Sequence, residues 1–140
     1  MHRPEIDYGI ELPPEYKAAV EPLIAKWLWL APSWVRTLDV HYDNSATEAA
    51  AWVTTNFDYR RATIYLTGGW LYEEDPEREY MLVHELCHLF SSPLVNWFQR
   101  YINRTTEDES LLAGELNDRL AEHVEGCTVD LSRALVEHRG

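Results

Sequence analysis

A chain of 140 residues, 46% of them hydrophobic, is long enough for one domain with a real core and too apolar to be disordered. Its formal net charge of −12 at pH 7 speaks against nucleic acid or an anionic membrane as partner and fits a solvated surface. No window offers the roughly 18 uncharged apolar residues of a membrane span, and the opening "MHRPEIDYGIELPP" lacks the apolar segment of a secretory signal, so a cytoplasmic protein is expected.

Pro13-Pro14 opens a predicted helix to about Leu30, with Leu23, Ile24, Trp27, Leu28 and Leu30 as its apolar face. Pro22 should kink or split it, because proline lacks the donor for a bond to the preceding turn. Ala31-Pro32 ends it. Three strands are expected next. In Trp34 to Asp43, Trp34, Leu38, Val40 and Tyr42 lie on one side and Thr37, Asp39, His41 and Asp43 on the other, the pattern of a half-buried strand. His41 falls on the polar side and reads as a surface residue. Ala50 to Phe57 reads as a second strand, Asp58-Tyr59-Arg60 as a turn, and Arg61 to Thr67 as a third strand closed by Gly68-Gly69.

Asp75-Pro76 marks a helix start, an N-cap followed by proline, with Glu77 at the positive end of the dipole. This helix should run to about Phe90, because Pro93 prevents much continuation. It is apolar nearly all round and therefore buried. Leu94 to Ile102 reads as a separate helix. Thr106 and Glu109 have capping-box spacing, and a long helix should follow toward Leu135. Its stripe of Leu112, Leu116, Leu120, Val124, Cys127, Leu131 and Leu135 steps by three or four and reads as core packing. Cys87 and Cys127 are the two cysteines, expected as reduced core thiols in a cytoplasmic chain.

Inside the buried helix stands His84-Glu85-Leu86-Cys87-His88. Three polar groups in an apolar helix are costly unless something satisfies them. Residues i and i+4 share a helix face, so both imidazoles can meet one ion. Glu85 points about 100° away from His84 and can serve as a base without displacing a ligand. H-E-x-x-H on a helix therefore reads as two zinc ligands and the general base for a metal-activated water. Cys87 could pair with His84 in the same way, but the two histidines are the better pair.

Zinc needs a third protein ligand. No histidine lies between His88 and His123, Leu94 stands six residues after His88, and Ser91 stands where a metzincin has glycine. The ligand should therefore come from the long helix. On an idealised wheel, Asp118, Glu122 and Glu125 lie opposite the leucine stripe. Ala121, Val129 and Ser132 give Glu125 the less polar flank, whereas Gly126, Arg133 and Glu115 flank Glu122. Glu125 is preferred, with Glu122 as the substitute. His123 reads as surface.

With a helical HExxH and a carboxylate on a later helix, the chain resembles a gluzincin of the zincin-like metallopeptidase fold. More narrowly, it is similar to the short metallopeptidase-like proteins encoded by bacteriophages and prophages. The stretches "WLWLAPSWVRTLDVHYD", "YRRATIYLTGGW", "MLVHELCHLFSSPL" and "LAEHVEGCTVDLSRAL" carry the resemblance. It implies an α+β fold: a mixed or mostly antiparallel sheet of about three or four strands, packed on the HExxH helix and a long C-terminal helix. Residues 1–140 would form one minimal domain, working in a bacterium or an infected host cell. The resemblance implies His84, His88 and Glu125 as zinc ligands and Glu85 as catalytic base. It also implies that Arg61–Thr67 is an edge strand beside the cleft, where a peptide could add by strand pairing.

The expected activity is zinc-dependent hydrolysis of a peptide bond in a peptide or protein substrate. The alternative is a non-catalytic, zinc-stabilised module of phage origin that binds a host or viral protein. Larger gluzincins carry an aspartate one turn after the ligand glutamate, where this chain has Val129. Tyr80, Tyr101 and His123 are open candidates for stabilising an oxyanion.

Overall fold

The computed structural model describes residues 3–45, 48–106 and 110–139. Its elements run β1 (Glu5–Tyr8), α1 (Pro14–Trp27), β2 (Thr37–Asp43), β3 (Ala51–Asn56), β4 (Arg61–Thr67), α2 (Asp75–Thr105) and α3 (Leu111–Arg139). The class is α+β. Four strands form one mixed sheet in the order β1-β2-β4-β3. β1 and β2 pair in parallel, as do β2 and β4, and β3 runs antiparallel to β4.

β1 was not among the expected strands. Its four residues, Glu-Ile-Asp-Tyr, contain none that is fully buried; Ile6 and Tyr8 rest against the core, and backbone pairing with β2 holds the strand in place. β2 begins at Thr37, which leaves Trp34 in the preceding turn. β4 is an interior strand, not the edge strand implied by the resemblance. Ala62, Ile64 and Leu66 are fully buried, and β4 is paired along its whole length to β2 on one side and β3 on the other. The outer strands are β1 and β3.

Register sets Leu38 beside Ala62 and Val40 beside Ile64. These side chains form one core cluster with Tyr16, Val20, Ile24 and Trp27 of α1 and Leu82, Val83, Leu86 and Leu89 of α2. Asp39, expected on the polar side, is buried and held by a bidentate pair from Arg61, Nε to Oδ2 at 3.0 Å and Nη2 to Oδ1 at 2.8 Å. His41 Nδ1 meets Glu11 Oε1 at 2.6 Å on the surface.

The prolines break neither helix. α1 runs unbroken through Pro22 and ends in a 3-10 turn at Leu28–Leu30. α2 begins at Asp75, one residue before Pro76, without a side-chain cap, and continues through Pro93 to Thr105. Pro93 cannot donate to the carbonyl of Leu89. The Trp34 indole takes that place, with Nε1 donating to Leu89 O at 3.0 Å. A tryptophan from another part of the chain thus satisfies the orphaned acceptor and lets one helix replace the two expected. Glu109 lies outside the described residues, and with it the expected capping box.

The packing face of α3 also differs from expectation. Its buried residues are Ala113, Thr128 and Ser132, while Leu112, Leu116 and Leu131 of the leucine stripe are exposed. Both buried hydroxyls bond back to their own helix, Thr128 Oγ1 to Val124 O at 2.7 Å and Ser132 Oγ to Thr128 O at 2.6 Å. Small side chains with internally satisfied hydroxyls allow close packing against α2. Cys87 and Cys127 are both free thiols, and only Cys87 is a core residue, because Cys127 is exposed.

Candidate metal centre

His84 and His88 stand one turn apart on α2, as the i, i+4 geometry dictates. Their Nε2 atoms lie 3.1 Å apart. α3 packs alongside and brings Glu125 between them, Oε1 at 3.0 Å from His84 Nε2 and Oε2 at 3.1 Å from His88 Nε2. Among the described residues these three form the only such group of potential metal ligands, with one ligand atom of each within 4.8 Å of the others. Glu122 is exposed and does not join them. Nor do Cys87, Cys127, His41 or His123 join them.

The donor set suits a divalent ion. Ligands about 2.0–2.2 Å from a tetrahedral zinc stand roughly 3.3 Å from one another, close to the separations seen here. Burial pushes the His84 imidazolium toward the neutral form; the Glu125 charge opposes this and His88 reinforces it. A neutral imidazole is the form that binds a cation. One feature runs against the usual pattern. His84 Nδ1 is buried and meets no partner among the described residues, whereas metal-bound histidines ordinarily donate that proton to an acceptor.

Glu85 faces the same cavity but belongs to the buried interior, only 9% exposed. Its pKa is pushed up to about 8, first by burial and then by the negative charge of Glu125. A cation held beside it would favour its ionised form and reverse that direction.

The group opens on a cleft of about 630 Å³ lined by Trp52 and Val53 of β3, Tyr80, Met81 and Ser92 of α2, and Val129 of α3, as well as by Glu85 and the three potential ligands. A second hollow of about 190 Å³ continues from His88 and Ser92 past Thr55, Asn96 and Gln99. The wall from Ala49 to Val53 was not anticipated. Its strand was legible, but nothing local says which helix an outer strand will border. Of the three candidates for an oxyanion donor, only Tyr80 lines this cleft. Its ring centroid is 6.0 Å from that of His84, and the Arg133 guanidinium lies over the ring, 6.0 Å from its centroid. Tyr101 and His123 are exposed and outside the cleft.

Compared with known proteins, the chain matches no family model, no curated protein and no solved structure. No helix among the described residues is long and apolar enough to cross a membrane.

Proposed function

We propose that this protein is a zinc-dependent peptidase of zincin-like, gluzincin type, with His84, His88 and Glu125 as ligands and Glu85 as general base. The observation that carries the reading is the convergence of two imidazoles and a carboxylate from separate helices at an open cleft that Glu85 also faces. A bound zinc supplies Lewis acidity, lowering the pKa of water and polarising a carbonyl. Glu85 accepts the proton as water attacks the peptide carbonyl, then delivers it to the departing amine. Tyr80 is the cleft's neutral hydrogen-bond donor for the carbonyl oxygen. The outer edge of β3 borders the cleft, and an extended peptide pairing there presents its backbone to the site. The setting this reading favours is the cytoplasm of a bacterium or infected host.

The second reading, a zinc-stabilised binding module, draws on the unpartnered Nδ1 of His84 and the apolar Val129 in the cleft wall. Metal analysis combined with digestion of a peptide library by the wild type and by Glu85→Gln separates the two. The peptidase reading expects about one zinc per chain in both proteins and cleavage only by the wild type. Zinc without cleavage in either protein favours the binding module. The absence of zinc in both sinks both readings.

A further inference from the structure

We infer that the smaller hollow beside His88 is a subsite for an uncharged amide side chain, so that the peptides this protein takes carry glutamine or asparagine two residues from the one held over the histidine pair. The inference rests on the peptidase reading for the pose of the peptide, and it adds a substrate class to that reading.

The edge of β3 sets that spacing. Thr67 N donates to Ala50 O at 3.0 Å, and bonded pairs alternate along an antiparallel ladder. With Ala51 opposite Leu66 and Val53 opposite Ile64, the backbone groups of Ala51, Val53 and Thr55 therefore turn away from β4 to the free edge. Val53 and Thr55 are half-buried, whereas Thr54 between them is exposed. Val53 lines the large cleft and Thr55 the smaller hollow. A strand paired on this edge places each side chain on the same face as the residue opposite. The side chain opposite Val53 hangs over the cleft, the one opposite Thr55 enters the hollow, and the one between points to solvent.

The chemistry of the hollow selects what enters it. Its volume of about 190 Å³ falls below the roughly 300 Å³ at which small-molecule sites begin, and suits a single side chain. Among the described residues no acid, lysine or arginine lines it, so a charged side chain would lose water there without meeting a countercharge. Asn96 and Gln99, one turn apart on α2, line it with amides that hydrogen-bond to no described residue, and each amide offers donors and an acceptor. Ser91 and Ser92 complete the polar wall. Both hydroxyls donate to His88 O, at 3.2 and 2.6 Å, which leaves only their lone pairs for a ligand. Such a wall calls for a neutral group that both donates and accepts. A primary amide does both at separate atoms, whereas a carboxylate has no donor and an aliphatic chain has neither.

Position-scanned peptides incubated with the zinc-loaded, full-length protein test this. At one position, on one side of the cut, glutamine or asparagine should raise kcat/KM at least about 10-fold over methionine, glutamate or lysine. The adjacent position that faces solvent should show no preference. The double variant Asn96→Leu, Gln99→Leu should lower the glutamine-to-methionine ratio of kcat/KM about 10-fold and keep its zinc, a change in selectivity that loss of a merely structural contact would not produce. Cleavage without an amide preference, or a preference that the double variant retains, overturns the inference and leaves the peptidase reading standing. If the wild type cuts no peptide, the peptidase reading fails, and fluorescence anisotropy with the same peptides decides the inference. Amide-selective binding that the double variant loses supports the subsite; unselective or absent binding overturns it. Should the double variant not fold, the wild type's own ranking of glutamine against methionine, glutamate and lysine decides.

Discussion

Glu125 Oε1 stands 3.0 Å from His84 Nε2, although the two side chains come from different helices. The contact closes α3 onto the start of the histidine pair, and it makes Glu125 the acid whose loss matters. Glu125→Ala should weaken zinc binding by more than the roughly 10–100-fold that loss of an outer partner costs, whereas Glu122→Ala should leave it unchanged. Zinc titration against a competing chelator measures both. Equal effects of the two substitutions would refute the assignment of Glu125.

Glu85 lines the cleft without belonging to the His84–His88–Glu125 group. Glu85→Gln should therefore keep the metal while lowering any peptide cleavage by about 100-fold or more, the scale of general-base catalysis. An isosteric amide that cleaves as fast as the wild type removes Glu85 from the chemistry.

Removing the metal should expose the strain of the buried carboxyl. With the Glu85 pKa raised to about 8, the metal-free folded state holds a proton that the unfolded chain releases near its ordinary value of 4.5. The sign follows: stability is greatest below pH 4.5 as far as this group is concerned, and it is lost as pH rises toward about 8. Denaturant melts of chelated protein should show that decline, and Glu85→Gln should abolish it. Saturating zinc, at about 1,000 times its dissociation constant, should add about 4 kcal/mol.

The Trp34 indole caps the carbonyl that Pro93 cannot serve. Trp34→Phe should cost about 1–3 kcal/mol, the penalty of an unsatisfied buried acceptor. In a Pro93→Ala background the helix supplies its own donor, and the same change should cost less. A double-mutant cycle on urea melts measures the coupling; strictly additive effects would show that the indole does not substitute for the missing bond.

Glu79 joins α1 to α2, accepting from Trp27 Nε1 at 2.7 Å and meeting Lys26 Nζ at 2.6 Å. Burial pushes its pKa up, but Lys26 and Trp27 together outweigh burial and leave it below 4.5. A lowered carboxyl contributes stability at neutral pH that disappears as pH falls below 4.5 through its own value. Glu79→Gln should flatten that acid limb in a melt series and leave Trp27 a hydrogen-bond acceptor. A variant with an unchanged acid limb would remove Glu79 as a source of the acid sensitivity.

The legible parts were those governed by neighbours in sequence. The His84/His88 spacing follows from the helical period, so their shared face needed no tertiary information. β2 declared itself by alternation, β3 and β4 stood out on either side of the Asp58-Tyr59-Arg60 turn, and the second-face argument on α3 preferred Glu125 to Glu122. β1 escaped because its short run buries no residue completely. Pro93 misled because a proline stops a helix only when nothing else satisfies the freed carbonyl. The leucine stripe misled for a related reason. Thr128 and Ser132 satisfy their hydroxyls on their own helix, so polar residues took the buried face and left leucines outside.

By itself, the sequence determined the local periodicities: where β2, β3 and β4 form, which imidazoles share a face, and that three polar groups in an apolar helix need a partner. Only the tertiary structure decided which strands are outermost, that Trp34 carries α2 past Pro93, and how α3 turns Glu125 onto the histidines. Those outcomes depend on contacts between residues distant in the chain, whose pairing no local pattern encodes.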